Sequence, residues 1–179
     1  MRKLLLLITI STLFLACQPG NKAKDDAVNF KNVNQQMTKS FSDLNAQDTF
    51  KIELNGRKPE NMVLVFNIKK AGGEEIYHVQ LKGSDLIGDT DPNLDLSKEK
   101  DQMIFLKTIA DNFFAEDNFL EPAVLPEDKA DNYVPDKALY EELKKSRLNG
   151  FKYRLGKENN VYIAWSEKEQ KVKIYYKCC

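Results

Sequence analysis

Alternation of apolar and polar residues with a period of two recurs in two separate stretches of this chain, and it restricts the fold more than any other feature. Phe50, Ile52 and Leu54 alternate with Lys51 and Glu53, and Tyr77, Val79 and Leu81 share one side of 76–81. Between them, 62–68 is nearly continuously apolar, the pattern of a central strand buried on both faces. Near the other end, Phe151, Tyr153 and Leu155 alternate, then Val161, Ile163 and Trp165, then Val172, Ile174 and Tyr176. Turn signals separate the segments at Asn55-Gly56, Ala71-Gly72-Gly73, 157–160 and 167–170. A parallel crossover needs about a dozen residues or more, and most of these connections are shorter. The pattern therefore predicts two antiparallel three-stranded meanders.

Helical periodicity fills the remainder. Val33, Met37, Phe41 and Leu44 recur at spacings of four, four and three, which predicts a helix over about 31–45. Met103, Leu106, Ile109, Ala110, Phe113 and Phe114 predict a second, with Asp95 or Ser97 as its N-cap. Three prolines make 121–135 an irregular loop, after which Asp136 caps a third helix carrying Leu139, Leu143 and Leu148 inward. Asn149-Gly150 is its predicted stop. The order α-βββ-α-α-βββ defines an α+β fold with helices packed on one sheet face.

The first seventeen residues, MRKLLLLITISTLFLAC, have a different character. Arg2 and Lys3 precede the apolar run 4–16, which is shorter than the roughly 20 residues needed to span a bilayer. Ala16 is a small residue directly before Cys17. Leu13-Phe14-Leu15-Ala16-Cys17 resembles the bacterial lipobox in the looser form of spirochaetes, and the lysine bias is similar to that of small spirochaete-type surface lipoproteins. The resemblance implies cleavage before Cys17 and a thioether-linked diacylglycerol on it, often with an amide-linked acyl chain such as palmitate. Two or more chains anchor a protein stably. Gln18, where Asp would signal inner-membrane retention, favours the outer membrane or cell surface. The implied organisation is a signal peptide at 1–16, a lipidated polar tether at 17–30, and a single α+β domain at 31–179.

Hydrophobic content of 42% and aromatic content of 10% suit a folded domain, and 27 basic against 27 acidic side chains give no reason to expect nucleic acid. Charge is nevertheless uneven. Segment 84–135 has four lysines against thirteen acidic residues, whereas 136–179 has eleven basic against six acidic.

Five groups of residues are candidates for chemistry or binding. Asp89, Asp91, Asn93 and Asp95 alternate like the start of a calcium loop, but Leu94 replaces its glycine and Lys100 its closing glutamate. Calcium is the only cofactor this chain suggests, apart from covalent lipid. Cys178 and Cys179 end the chain, and three readings stay open: a buried thiol beside a free one, a vicinal disulfide, or an intermolecular disulfide. His78, the sole histidine, lies on the polar side of a predicted strand without a nucleophile to serve. Glu74-Glu75 and Glu141-Glu142 read as solvated pairs. Finally, Lys152, Arg154, Tyr162, Lys171, Lys173, Tyr175 and Lys177 fall on the outward phase of the second meander. A sheet face mixing lysine with tyrosine suits an anionic macromolecule or a protein partner.

The resemblance and the candidate face together lead to the expectation of a non-enzymatic, membrane-anchored envelope lipoprotein that binds a macromolecular partner. A periplasm-facing structural or assembly accessory, or a calcium- or small-ligand-binding lipoprotein, are the alternatives.

Overall fold

The computed structural model describes residues 32–88, 91–157 and 159–178. Cys17, the signal and the tether lie outside them, as do Asp89 and Cys179.

Where a helix is predicted at 31–45, the chain forms strand β1, Val33–Lys39, antiparallel to β2, Asp48–Asn55. A spacing of four is also even, so Val33 and Met37 share a strand face as readily as a helix face. Val33 pairs with Leu54 and Met37 with Phe50, and both face the core. Phe41 lies beyond the strand and is buried, while Leu44 is exposed.

Strand β2 keeps its predicted phase, with Phe50, Ile52 and Leu54 fully buried. Gly56 then turns the chain at φ 122°, where a Cβ would lie 2.7 Å from the Asn61 carbonyl oxygen. Strand β3, Val63–Lys69, alternates instead of being buried on both faces. Leu64, Phe66 and Ile68 are inside, and Val63, Val65 and Asn67 are half-buried. Strand β4, Glu75–Lys82, completes an antiparallel sheet of order β1-β2-β3-β4.

A single helical turn, α1 (Gly83–Leu86), leads towards helix α2, Glu99–Asp111. Gly83 has no room for a Cβ, which would meet Pro59 O at 2.8 Å and Leu106 Cδ1 at 2.9 Å. Neither Asp95 nor Ser97 is the cap of α2. That position is Lys98, with no side-chain cap, and the helix ends before Phe113 and Phe114.

The second sheet also has four strands, in the order β5-β6-β7-β8: Phe119–Leu120, Gly150–Arg154, Asn160–Ser166 and Lys171–Cys178. The two three-stranded meanders are therefore two four-stranded sheets, because β1 and the two-residue β5 extend them. Helix α3, Lys137–Ser146, has its predicted cap: Asp136 Oδ1 accepts from the Ala138 and Leu139 amides, both at 3.0 Å. It ends at left-handed Arg147 rather than at Asn149-Gly150, and Gly150 opens β6.

One core lies between the sheets. Phe50 and Phe66 from the first meet Phe151 and Tyr153 from the second, with Met103, Leu106 and Ala110 of α2 in the same cluster. A smaller core lies on the other face of the second sheet. There Ala164 and Tyr175 pack beneath Leu139, Tyr140 and Leu143 of α3, with Val124 and Val134. The helices thus do not share one sheet face, and β7 is the strand buried on both sides. The mixed α+β class holds.

Asp136 also accepts from Lys173 Nζ at 2.9 Å through Oδ2. The Leu139 amide and then Lys173 hold its carboxyl below the usual carboxylate range. Asp136→Ala removes the cap and this bond, and an urea titration should show a loss of about 1 kcal/mol, twice that at most. No loss would mean that α3 is held by its apolar face alone.

Candidate functional site

The structure divides the predicted basic face. Helix α3 and the segment before it cover its middle, so the seven residues do not form one open surface. A register shift lies between Ile163, which pairs with Ile174, and Tyr162, which pairs with Tyr176. Tyr175 is the extra residue. It is 3% exposed, and its hydroxyl donates to the Ala123 carbonyl at 2.8 Å. Lys173 is held by Asp136 and Glu169, and Lys171 Nζ lies 2.8 Å from Glu169. Arg154 Nε donates to Gly156 O at 2.7 Å, with its guanidinium over the Phe105 ring. Lys152 is half-buried opposite Tyr162. The same shift takes Tyr176 out of the inward phase predicted for it and to Tyr162 and Asp131. Cys178 Sγ lies 3.9 Å from the Tyr162 hydroxyl.

The acidic loop satisfies itself. Asp91 Oδ1 accepts from the Asn93 amide, and Asp95 Oδ1 from the hydroxyl and amide of Ser97. Lys98 Nζ lies 2.9 Å from Asp95 Oδ2. Ser97 first, then Lys98, pull the Asp95 carboxyl down to about 2. Among the described residues no group of three or more His, Cys, Asp or Glu side chains could hold a metal ion. His78 is exposed on β4, its Nδ1 3.7 Å from Glu75.

A different place concentrates unused chemistry. The β1–β2 loop, the β3–β4 turn and the β7–β8 turn gather at one end of the two sheets, around a cleft of about 350 Å³. Asp48, Lys70 and Trp165 line it, with Asp43, Gly72 and Glu167. Trp165 comes from the inward phase of β7 and is 3% exposed. Lys70 follows β3, and its ammonium covers the indole, 4.1 Å from the ring centroid. Glu74 lies 3.6 Å from the same ammonium.

Asp48 is fully buried. Its Oδ2 accepts from the Ser42 amide at 2.6 Å, but Oδ1 has no donor among the described residues. Lys39, its partner across the β1–β2 ladder, reaches instead to Glu116 and Glu121. A buried carboxylate oxygen without a donor costs about 1–3 kcal/mol or more. The sequence does carry a signal for this site. Asp48 stands on the inward phase of Phe50, Ile52 and Leu54, where an acidic residue is out of place.

No family model, no curated protein and no solved structure matches the chain. Among the described residues no helix is long and apolar enough to cross a membrane.

Proposed function

We propose that this chain is a lipid-anchored protein of the cell envelope, on the outer membrane or the cell surface, whose domain binds a partner without transforming it. Recognition takes place in the Trp165 cleft. The partner is a macromolecule that presents one group to the cleft, rather than a polyanion laid along the second sheet.

The observation that carries this reading is Asp48, a fully buried carboxylate lining the cleft, one oxygen of which has no donor among the described residues. A buried polar atom left without a partner asks for a physical reason, and a bound group that donates to it is one. The sequence supports the anchor through Cys17 and the short apolar run before it.

Two measurements test the proposal. Cys17→Ser should abolish fatty-acid labelling and move the protein from the membrane to the soluble fraction. A variant that keeps its label and its membrane association overturns the anchor. For the cleft, an envelope extract should raise the melting temperature of the wild type and not that of Asp48→Asn, because a ligand binding only the native state stabilises it. Equal shifts in both proteins would place recognition elsewhere.

A further inference from the structure

We propose that the group recognised in the cleft is an organic ammonium ion, and that Lys70 is its built-in stand-in. The inference rests on the cleft being the recognition site.

Charge points to a cation. Among the described residues that line the cleft, Asp43, Asp48 and Glu167 stand against one ammonium, that of Lys70, which already has Glu74 beside it. An anion entering there would meet three carboxylates. The Trp165 ring points the same way, because an indole face attracts a cation within about 6 Å of its centroid. Lys70 Nζ, at 4.1 Å, demonstrates that geometry with a group from the chain itself.

Asp48 sharpens the class. One of its oxygens has no donor among the described residues, and a primary ammonium brings three N–H groups while a quaternary one brings none. Lys70 Nζ does not reach Asp48, so the stand-in satisfies the ring and leaves the carboxylate unmet. A ligand able to engage both gains what Lys70 cannot. Nor is the Lys70 side chain enclosed: it is 28% exposed, although its backbone is held in the β3–β4 turn. The flexible four-carbon stem can therefore swing off the ring when another cation arrives.

With a macromolecular partner the amine is that of a protein lysine; a free amine is the other source of the same chemistry, and finding it would overturn the macromolecular partner while keeping the ammonium class. Trp165 is the only tryptophan in the chain, so its emission reports the cleft directly. The full-length protein in detergent is titrated with butylammonium, Nα-acetyl-lysine amide with its ε-ammonium free, tetramethylammonium, acetate and a neutral hexose.

Both primary ammonium probes should shift the emission, and tetramethylammonium should bind more weakly. Tighter binding of acetyl-lysine amide assigns the group to a peptide, and tighter binding of butylammonium to a free amine. Asp48→Asn keeps the shape and should weaken the primary ammonium probes by about tenfold or more. Lys70→Ala uncovers the ring and should tighten them several-fold.

Weaker ammonium binding by Lys70→Ala, or unchanged binding by Asp48→Asn, overturns the proposal. A response to acetate or the hexose but not to ammonium overturns the ammonium class while keeping the cleft. If no probe moves the emission of the folded protein, the ammonium proposal is overturned. An extract that still stabilises the wild type and not Asp48→Asn would leave the cleft reading standing.

Discussion

Phe66→Ala is expected to destabilise the domain by about 3–5 kcal/mol, the range for deleting a fully buried ring. Phe66 is fully buried at the centre of β3. Its ring lies 5.0 Å from Phe113, 5.3 Å from Phe151, 5.6 Å from Tyr153 and 5.7 Å from Tyr77. It therefore touches both sheets and the segment that follows α2. Neighbours that are themselves large rings cannot collapse into the space it leaves, so most of the cavity persists and its cost adds to the lost transfer energy. Domains of this size have only about 5–15 kcal/mol in total. Chemical denaturation followed by circular dichroism and by Trp165 emission should show one transition moved to much lower denaturant. Trp165 belongs to the second sheet, so a coincident shift shows that the sheets unfold together. A loss below about 1 kcal/mol would mean that the surrounding rings refill the site and that the packing around Phe66 is loose.

The same cluster shows what was legible beforehand. The alternation at 50–54 placed Phe50, Ile52 and Leu54 inside, and the alternation at 151–165 placed Phe151, Tyr153, Ile163 and Trp165 inside. Burial on one face leaves a period of two, which sequence displays directly. Strand β1 was lost because its apolar spacing satisfies two periods at once. Strand β5 was lost because two residues display no period at all. The face of β8 was misread for a sharper reason. One extra residue, Tyr175, reverses the facing of every side chain beyond it, and nothing local announces the shift. The apolar stripe of α3 was visible, but not that it covers the outer side of the second sheet. At the cleft, Asp48 was legible as an acidic residue on a buried phase. Its meeting with Lys70 and Trp165 was not, because turns far apart in sequence come together only through the stacking of the sheets.

Buried tyrosines should make the domain unfold in alkali as a unit. Burial raises the hydroxyls of Tyr77, Tyr153 and Tyr175 above their ordinary value of 10.0. The Tyr77 and Tyr153 hydroxyls lie 2.6 Å apart, so ionising either also places a charge inside the core. Below pH 10 all three are neutral whether the chain is folded or not, and the stability they contribute is complete. Above pH 10 the unfolded chain releases protons that the folded chain retains. Stability then falls by about 1.4 kcal/mol per unit of pH for each such tyrosine. Three together can exhaust a domain of ordinary stability within a few units. Tyrosinate absorbance and circular dichroism should therefore change together, in one steep transition above pH 10. Tyr153→Phe removes one of the three hydroxyls and should make the pH dependence of stability shallower. The packing of Tyr77, Tyr153 and Tyr175 is refuted if these three titrate smoothly near pH 10 while the circular dichroism stays native.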